Sequence, residues 1–335
     1  MDRGADLKAL AVAVLSLLLV LTGCSDDGSK QQWVEDEVSF EADGLTIYGT
    51  YRHQKDAAPG PAALLISESG GTDRNGDNTV VGKIGNMRQL AELLSERGVA
   101  TLRYDKVGTG KTGLGPYQSR PTDVVSAVYT SGAKAAARFL ADQSGTDKER
   151  LSVYAVGEGG IHAMALASDT TAGAPKIGSL GLLQPLSGRY LDIITDRVRS
   201  DASPETLKTW LAAVDEVRTK GTAPKDLPEG LSAILNPGNA KAIAEADKID
   251  PLALAAKIPA GTPVLLTCSD TDRQAKCDTM RPLIDALAHT ALTVVELKGV
   301  NHVLRDDPTD SIANLSKEGP LSPQLVDALN GFVGK

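Results

Sequence analysis

An α/β fold with a mostly parallel sheet, helices on its flanks and a helical insertion late in the chain is predicted by three observations. Short apolar runs alternate with longer stretches of helical periodicity, the alternation breaks once after the midpoint, and it then resumes. A chain of 335 residues accommodates this as one core carrying an insertion. Hydrophobic residues make up 41% of the chain and aromatics only 4%, so the interior is filled by Ala, Val, Leu and Ile rather than by rings.

The elements follow in order. Val34 to Phe40 and Leu45 to Tyr51 alternate as an antiparallel pair around the turn Ala42-Asp43-Gly44. Strand Ala63 to Ile66 precedes a helix from Met87 to Arg97. Strand Val99 to Tyr104 precedes a helix from Asp123 to Asp142, and Leu151 to Val156 precedes Ile161 to Ser168. Ile177 to Leu183 is the next strand. Alternation of strand and helix implies parallel strands joined by crossover helices. Between residues 188 and 247 the rhythm changes: Leu191, Ile194, Val198, Leu207, Trp210, Leu211, Val214 and Val217 recur at helical spacing among Pro and Gly. This is expected to be a helical cap over a pocket. Pro263 to Thr267 and Leu292 to Leu297 restore the strands, with a helix from Asp278 to His289 between them and a last helix from Gln324 to Val333.

The first residues stand outside this pattern. Arg3 and Lys8 precede an apolar run from Ala9 to Leu21 in which Ser16 is the one polar residue. As a helix it would rise about 20 Å, short of a hydrocarbon layer of roughly 30 Å, so residues 1–23 read as a signal peptide. The run ends in Leu21-Thr22-Gly23-Cys24, which resembles the lipobox of bacterial lipoproteins. That resemblance implies a diacylglyceryl-modified Cys24 as the first mature residue, anchored in the cell membrane. Residues 24–32 form a polar tether and 33–335 the folded domain. Cys268 and Cys277, with eight residues between them, are expected to form a disulfide in an exported protein. A metal site is not expected, since no further Cys or His pair of suitable spacing accompanies them. The net charge of −8 and the lack of a Lys/Arg cluster argue against nucleic acid as a partner.

The candidate chemistry lies at strand ends. Leu297-Lys298-Gly299-Val300-Asn301-His302 puts a His just past the last strand, and Cys268-Ser269-Asp270-Thr271-Asp272 offers carboxylates after the strand before it, with Asp272 preferred to Asp270. Side chains at the carboxyl ends of parallel strands converge. Glu68-Ser69-Gly70-Gly71-Thr72-Asp73-Arg74-Asn75-Gly76 and Arg103-Tyr104-Asp105-Lys106-Val107-Gly108-Thr109-Gly110-Lys111-Thr112 resemble the oxyanion-loop and "YDKRG-G-S" segments of bacterial α/β-hydrolases. The resemblance extends from about Val34 to the C-terminus. It implies esterase ancestry, a catalytic pair His302 and Asp272, and oxyanion donors at the backbone of Glu158 and of Ser69 or Gly70. The departure is at the nucleophile elbow, where Ala155-Val156-Gly157-Glu158-Gly159-Gly160 puts Gly157 in the position of the Ser. No G-x-S-x-G occurs in the chain. Gly157 has no atom to attack a carbonyl, so covalent acyl transfer from the elbow is closed.

Three expectations follow: a non-hydrolytic or strongly impaired relative that binds an apolar or ester-like ligand or an envelope partner, a hydrolase that uses water at His302–Asp272 or a displaced Ser such as Ser69, or a structural envelope protein. No cofactor is expected. Gly108-Thr109-Gly110-Lys111-Thr112-Gly113 has the letters of a nucleotide loop without the helix that should follow, because Gly115-Pro116 keeps the chain in a loop. Asp73, Asn75 and Asp77 echo a calcium loop but lack its Gly and Glu offsets.

Overall fold

The computed structural model describes residues 32–334. The leader, Cys24 and nearly all of the tether lie outside the described residues. Eight strands form one sheet: β1 (Trp33–Ala42), β2 (Leu45–Gln54), β3 (Gly60–Ile66), β4 (Ala100–Tyr104), β5 (Thr146–Val156), β6 (Ser179–Leu183), β7 (Pro263–Ser269) and β8 (Ala291–Leu297). Their spatial order is β1-β2-β4-β3-β5-β6-β7-β8. The first two pair antiparallel through the expected turn, where Asp43 and Gly44 both take positive φ, as a two-residue hairpin turn requires. β2 meets β4 antiparallel, and every pairing from β4 through β8 is parallel.

Helices cover both faces. They are α1 (Asn86–Ser95), α2 (Ser126–Ala141), α3 (Gly159–Ala167), α4 (Tyr190–Asp201), α5 (Pro204–Lys220), α6 (Glu229–Ser232), α7 (Ala240–Asp247), α8 (Pro251–Ala255), α9 (Arg281–Ala286), α10 (Ile312–Leu315) and α11 (Pro323–Phe332). Because side chains alternate along a strand, β3 sends Leu64 and Ile66 to one face and Ala63 and Leu65 to the other. On the first face Ala133, Ala136, Ala137 and Leu140 of α2 and Ala163 and Met164 of α3 complete the core. On the second, Met87, Leu90 and Leu94 of α1 meet Leu325, Leu329 and Phe332 of α11. Fully buried strands read as continuous apolar runs for this reason.

The insertion between β6 and β7 has a core of its own around Trp210, Leu191, Val214, Val217 and Leu235. The buried Trp210 indole donates to Thr195 Oγ1 at 2.9 Å. Asp247, at the C-terminal end of α7, is buried and accepts from Arg189, Arg218 and the Leu191 N–H, so the ends of the insertion are clasped by one carboxylate. The expected helix from Asp278 to His289 is instead a single turn at Cys277–Thr279 followed by the short α9. Pro282 suits only a first turn, so α9 starts anew at Arg281. α8 and α10 are too short to show periodicity in the sequence.

Candidate active site

β5 ends at Val156, and the chain turns through Gly157 and Glu158 into α3. Gly157 has φ +54°, its N–H donates to Leu183 O at 3.1 Å, and its carbonyl accepts the Gly160 N–H at 3.0 Å. A Cβ on Gly159 would lie 2.8 Å from the Ile66 carbonyl, so α3 seats directly on the end of β3 only because a Gly is there. The sharp turn expected of an elbow is present.

The space that a side chain on residue 157 would take is filled. A Cβ built on Gly157 would fall 1.3 Å from Oε2 of Glu68, the second residue past β3. The same oxygen is 3.0 Å from His302 Nε2. The other, Oε1, accepts the Ser69 N–H at 2.8 Å and faces the Glu158 N–H at 3.5 Å. One carboxylate therefore occupies both the place of an elbow nucleophile and the focus of the two backbone donors. Of the alternatives Ser69 and Gly70, the Ser69 N–H points there; Gly70 sits at the exposed loop tip with φ +63°.

On its far side His302 is held by Asp272, with Nδ1 2.7 Å from Oδ2. Asp272 is wholly buried, and its Oδ1 accepts N–H groups of Gln274 and Ala275 at 2.7 and 3.2 Å. Asp270 is turned elsewhere, accepting the Gly299 N–H at 2.8 Å. The His302 N–H donates to Asp310 Oδ1 at 3.0 Å, fixing the loop after β8. Cys268 and Cys277 are joined as a disulfide, with Cα atoms 5.0 Å apart, and close the loop that carries Asp272.

Protonation follows from this geometry. Both ring nitrogens of His302 face carboxylate oxygens, which accept only, so both must donate and the ring is an imidazolium. Burial works against that charge, but Asp272 and then Glu68 override it and raise the His302 pKa well above its ordinary value. Burial likewise opposes a charged Glu68, yet the imidazolium and the Ser69 N–H hold its carboxyl down to about 2.

Behind Glu68 lies Lys106, buried at 4% exposure, its ammonium donating to the Glu68 carbonyl and 5.9 Å from the Tyr129 ring centre. Burial lowers its pKa and raises that of Glu158. His162, bonded through Nδ1 to Thr130 Oγ1 at 2.9 Å, is driven by burial to about 3 and is neutral. The cavity among Ser69, Lys106, Tyr129, Glu158 and His162 measures about 10 Å³, room for about one water rather than the few hundred Å³ of a ligand site. The ligand-sized pocket expected beneath the cap is not found at this spot. A cleft of about 430 Å³ instead opens between α4 and the Asp272 loop, lined by Ile193, Arg197, Asp201, Arg273 and Lys276.

The two motif segments now have physical roles. Asp105, buried, accepts the Arg74 N–H at 3.0 Å and its guanidinium at 2.8 Å, and also the Lys111 N–H at 2.8 Å, tying the loop after β3 to the loop after β4. Asp73 and Asp77 spend their oxygens on backbone N–H groups of Asn75, Asp77, Ile84 and Gly85, as turn residues do. Among the described residues no group of three or more potential ligands is placed to hold a metal.

Glu68 is the residue the sequence reading missed. It lies in the loop after β3, to which the resemblance gives a role through its backbone alone. The available signal was Gly157 itself, since a protein interior does not leave the volume of a lost side chain empty.

No protein-family model matches the chain, and no curated protein matches it. Solved structures do. DcsB, solved in complex with its substrate analogue, superposes with a TM-score of 0.58 at 16% identity, over 89% of this chain and 98% of its own. Est1E from Butyrivibrio proteoclasticus gives 0.55 at 16% identity, covering 88% and 96%, and the Pyrococcus furiosus esterase Pf2001 gives 0.53 at 16% identity, covering 92% and 94%. With an eight-stranded, mostly parallel sheet, helices on both faces and esterases among its structural neighbours, this chain has the α/β-hydrolase fold.

Proposed function

We propose that the chain is an exported, lipid-anchored envelope protein of esterase-like descent that does not cleave carboxylic esters by acyl transfer. The observation that carries the reading is the Glu68 carboxylate standing 1.3 Å from where an elbow Cβ would be. It takes the nucleophile's place, covers the Ser69 and Glu158 N–H donors, and holds His302 as an imidazolium without the lone pair a general base needs. The anchor rests on Cys24 in its lipobox context, and the cleft beside α4 is the candidate seat of a ligand or envelope partner.

The second reading is ester hydrolysis by water activated at His302, and the 2.7 Å Asp272–His302 bond favours it. It requires a neutral ring, which Glu68 opposes. Full-length protein in detergent is expected to leave p-nitrophenyl acetate and butyrate uncleaved. Gly157→Ser alone is also expected to be inactive, because its side chain meets Glu68, whereas Gly157→Ser with Glu68→Ala gains activity of about 100-fold or more over background. Wild-type turnover that disappears in His302→Ala would establish the second reading instead. For the anchor, metabolic palmitate labelling that persists in Cys24→Ala would refute it.

A further inference from the structure

We infer that the cavity at the start of α1, between that helix and the chain that follows β8, is a binding site for a phosphate monoester, with Arg305 as the buried charge that selects it. None of Glu68, Asp272 and His302 lines this cavity, so the inference stands apart from the reading of the elbow.

The observation that carries it is a buried cation without a counter-ion. Arg305 is only 6% exposed. Its two terminal nitrogens donate to the carbonyls of Lys317 and Ile84, and its Nε is buried with no acceptor. Two carboxylates border the same cavity, Asp77 and Glu318, but both act on Arg305 only through space, and burial outweighs them and lowers its pKa. Asp77 spends Oδ1 on the N–H groups of Ile84 and Gly85, at 2.8 and 2.9 Å, and Glu318 is exposed to solvent. Carbonyl oxygens satisfy hydrogen bonds without neutralising a charge, and buried charges in folded proteins are paired.

The surroundings identify the missing partner. The cavity measures about 420 Å³, the size of a small-molecule site, and the exposed Lys83 and Arg88 also line it. The positive end of α1 opens on to it, since that helix starts after Gly85 with no side-chain cap and no acidic residue in its first turn. A guanidinium, an ammonium and a helix N-terminus around one space suit an oxyanion. A carboxylate brings a single charge and two oxygens. A phosphate monoester brings close to two charges and three terminal oxygens, enough to meet Arg305, Lys83 and Arg88 together, and the remaining volume accommodates its organic group.

The test uses full-length protein in detergent, with glycerol 3-phosphate and dihexanoyl phosphatidic acid as probes, each against sodium chloride of equal ionic strength. Glycerol 3-phosphate is expected to bind saturably, with a dissociation constant of about 1 mM or tighter, and at ten times that constant to raise the melting temperature by about 2 °C or more. Arg305→Gln is expected to abolish the saturable binding. Because Arg305 also ties two backbone segments together, the double variant Lys83→Gln with Arg88→Gln, confined to exposed positions, provides a second measure. Its affinity is expected to fall about 10-fold or more. Phosphate also stabilises proteins by exclusion from their surface, so a rise in melting temperature that does not saturate, or binding unchanged in the double variant, overturns the inference. Binding of both probes assigns a soluble ester, and binding of phosphatidic acid alone assigns a lipid headgroup; either bears out the phosphate chemistry, and binding of neither refutes it. p-Nitrophenyl ester turnover, which decides the reading of the elbow, is measured separately and is unaffected by the outcome.

Discussion

The two ends of the candidate site differ within one geometry. At the end made by the loops after β7 and β8, Asp272 and His302 keep the arrangement that the resemblance implies, with a buried carboxylate pinned by two N–H groups, a 2.7 Å bond to the ring and a disulfide closing the loop. At the end made by the loop after β3 and the turn into α3, the backbone has the expected form, but residue 157 has no side chain and the Glu68 carboxylate fills the space where one would stand. Backbone course and side-chain chemistry are separable. The turn depends on sheet packing and on glycines, while the side chain that fills the space beside it can come from a neighbouring segment.

The comparison is broken most forcibly by removing the group shared between the ends. His302→Ala leaves Asp272, wholly buried, and Glu68 without their counter-ion, and is expected to cost about 3–5 kcal/mol in denaturant unfolding. A loss under about 1 kcal/mol would mean that the two carboxylates do not depend on the ring. Next in size, Cys268→Ser with Cys277→Ser opens the short loop at the Asp272 end only, and should cost about 2–3 kcal/mol. If the elbow end is independent, the glycine-dependent packing of α3 on β3 is untouched, and amide exchange in α3 changes no more than the global loss requires.

The smallest expected effect is the most specific. Glu68→Gln keeps the shape and removes the charge, so the His302 pKa should fall, which imidazole nitrogen shifts report directly; among the four His, His162 serves as the neutral reference. The sign of the linked stability follows. A raised His302 contributes fully below its unfolded value of about 6.5 and less as pH climbs toward the folded one. A lowered Glu68 contributes fully above about 4.5 and is lost as pH falls toward about 2. The difference in melting temperature between wild type and Glu68→Gln should therefore be widest between about pH 4.5 and 6.5. A difference that grows steadily above pH 7 would contradict the ion pair.

Much of this was legible in the chain because the relevant signals are local. Alternation around the Asp43-Gly44 turn marked the opening hairpin, apolar runs marked the later strands, and the strand-end positions of Asp272 and His302 identified the pair that meets in the structure. Gly157 stands where the resemblance implies an elbow nucleophile, and a residue without a side chain cannot attack. What took its place did not follow. Glu68 and Gly157 are far apart in sequence, and His302 lies 234 residues beyond Glu68. No periodicity or spacing links them. Only the parallel register of β3 beside β5, which brings Ile66 level with Ala155 at the carboxyl edge of the sheet, sets the carboxylate against the vacant position. The sequence by itself determined the layers of the fold and placed a residue without a side chain at the turn after β5; the tertiary structure decided that a carboxylate stands against it, because side chains meet there through sheet register and close packing rather than through proximity along the chain.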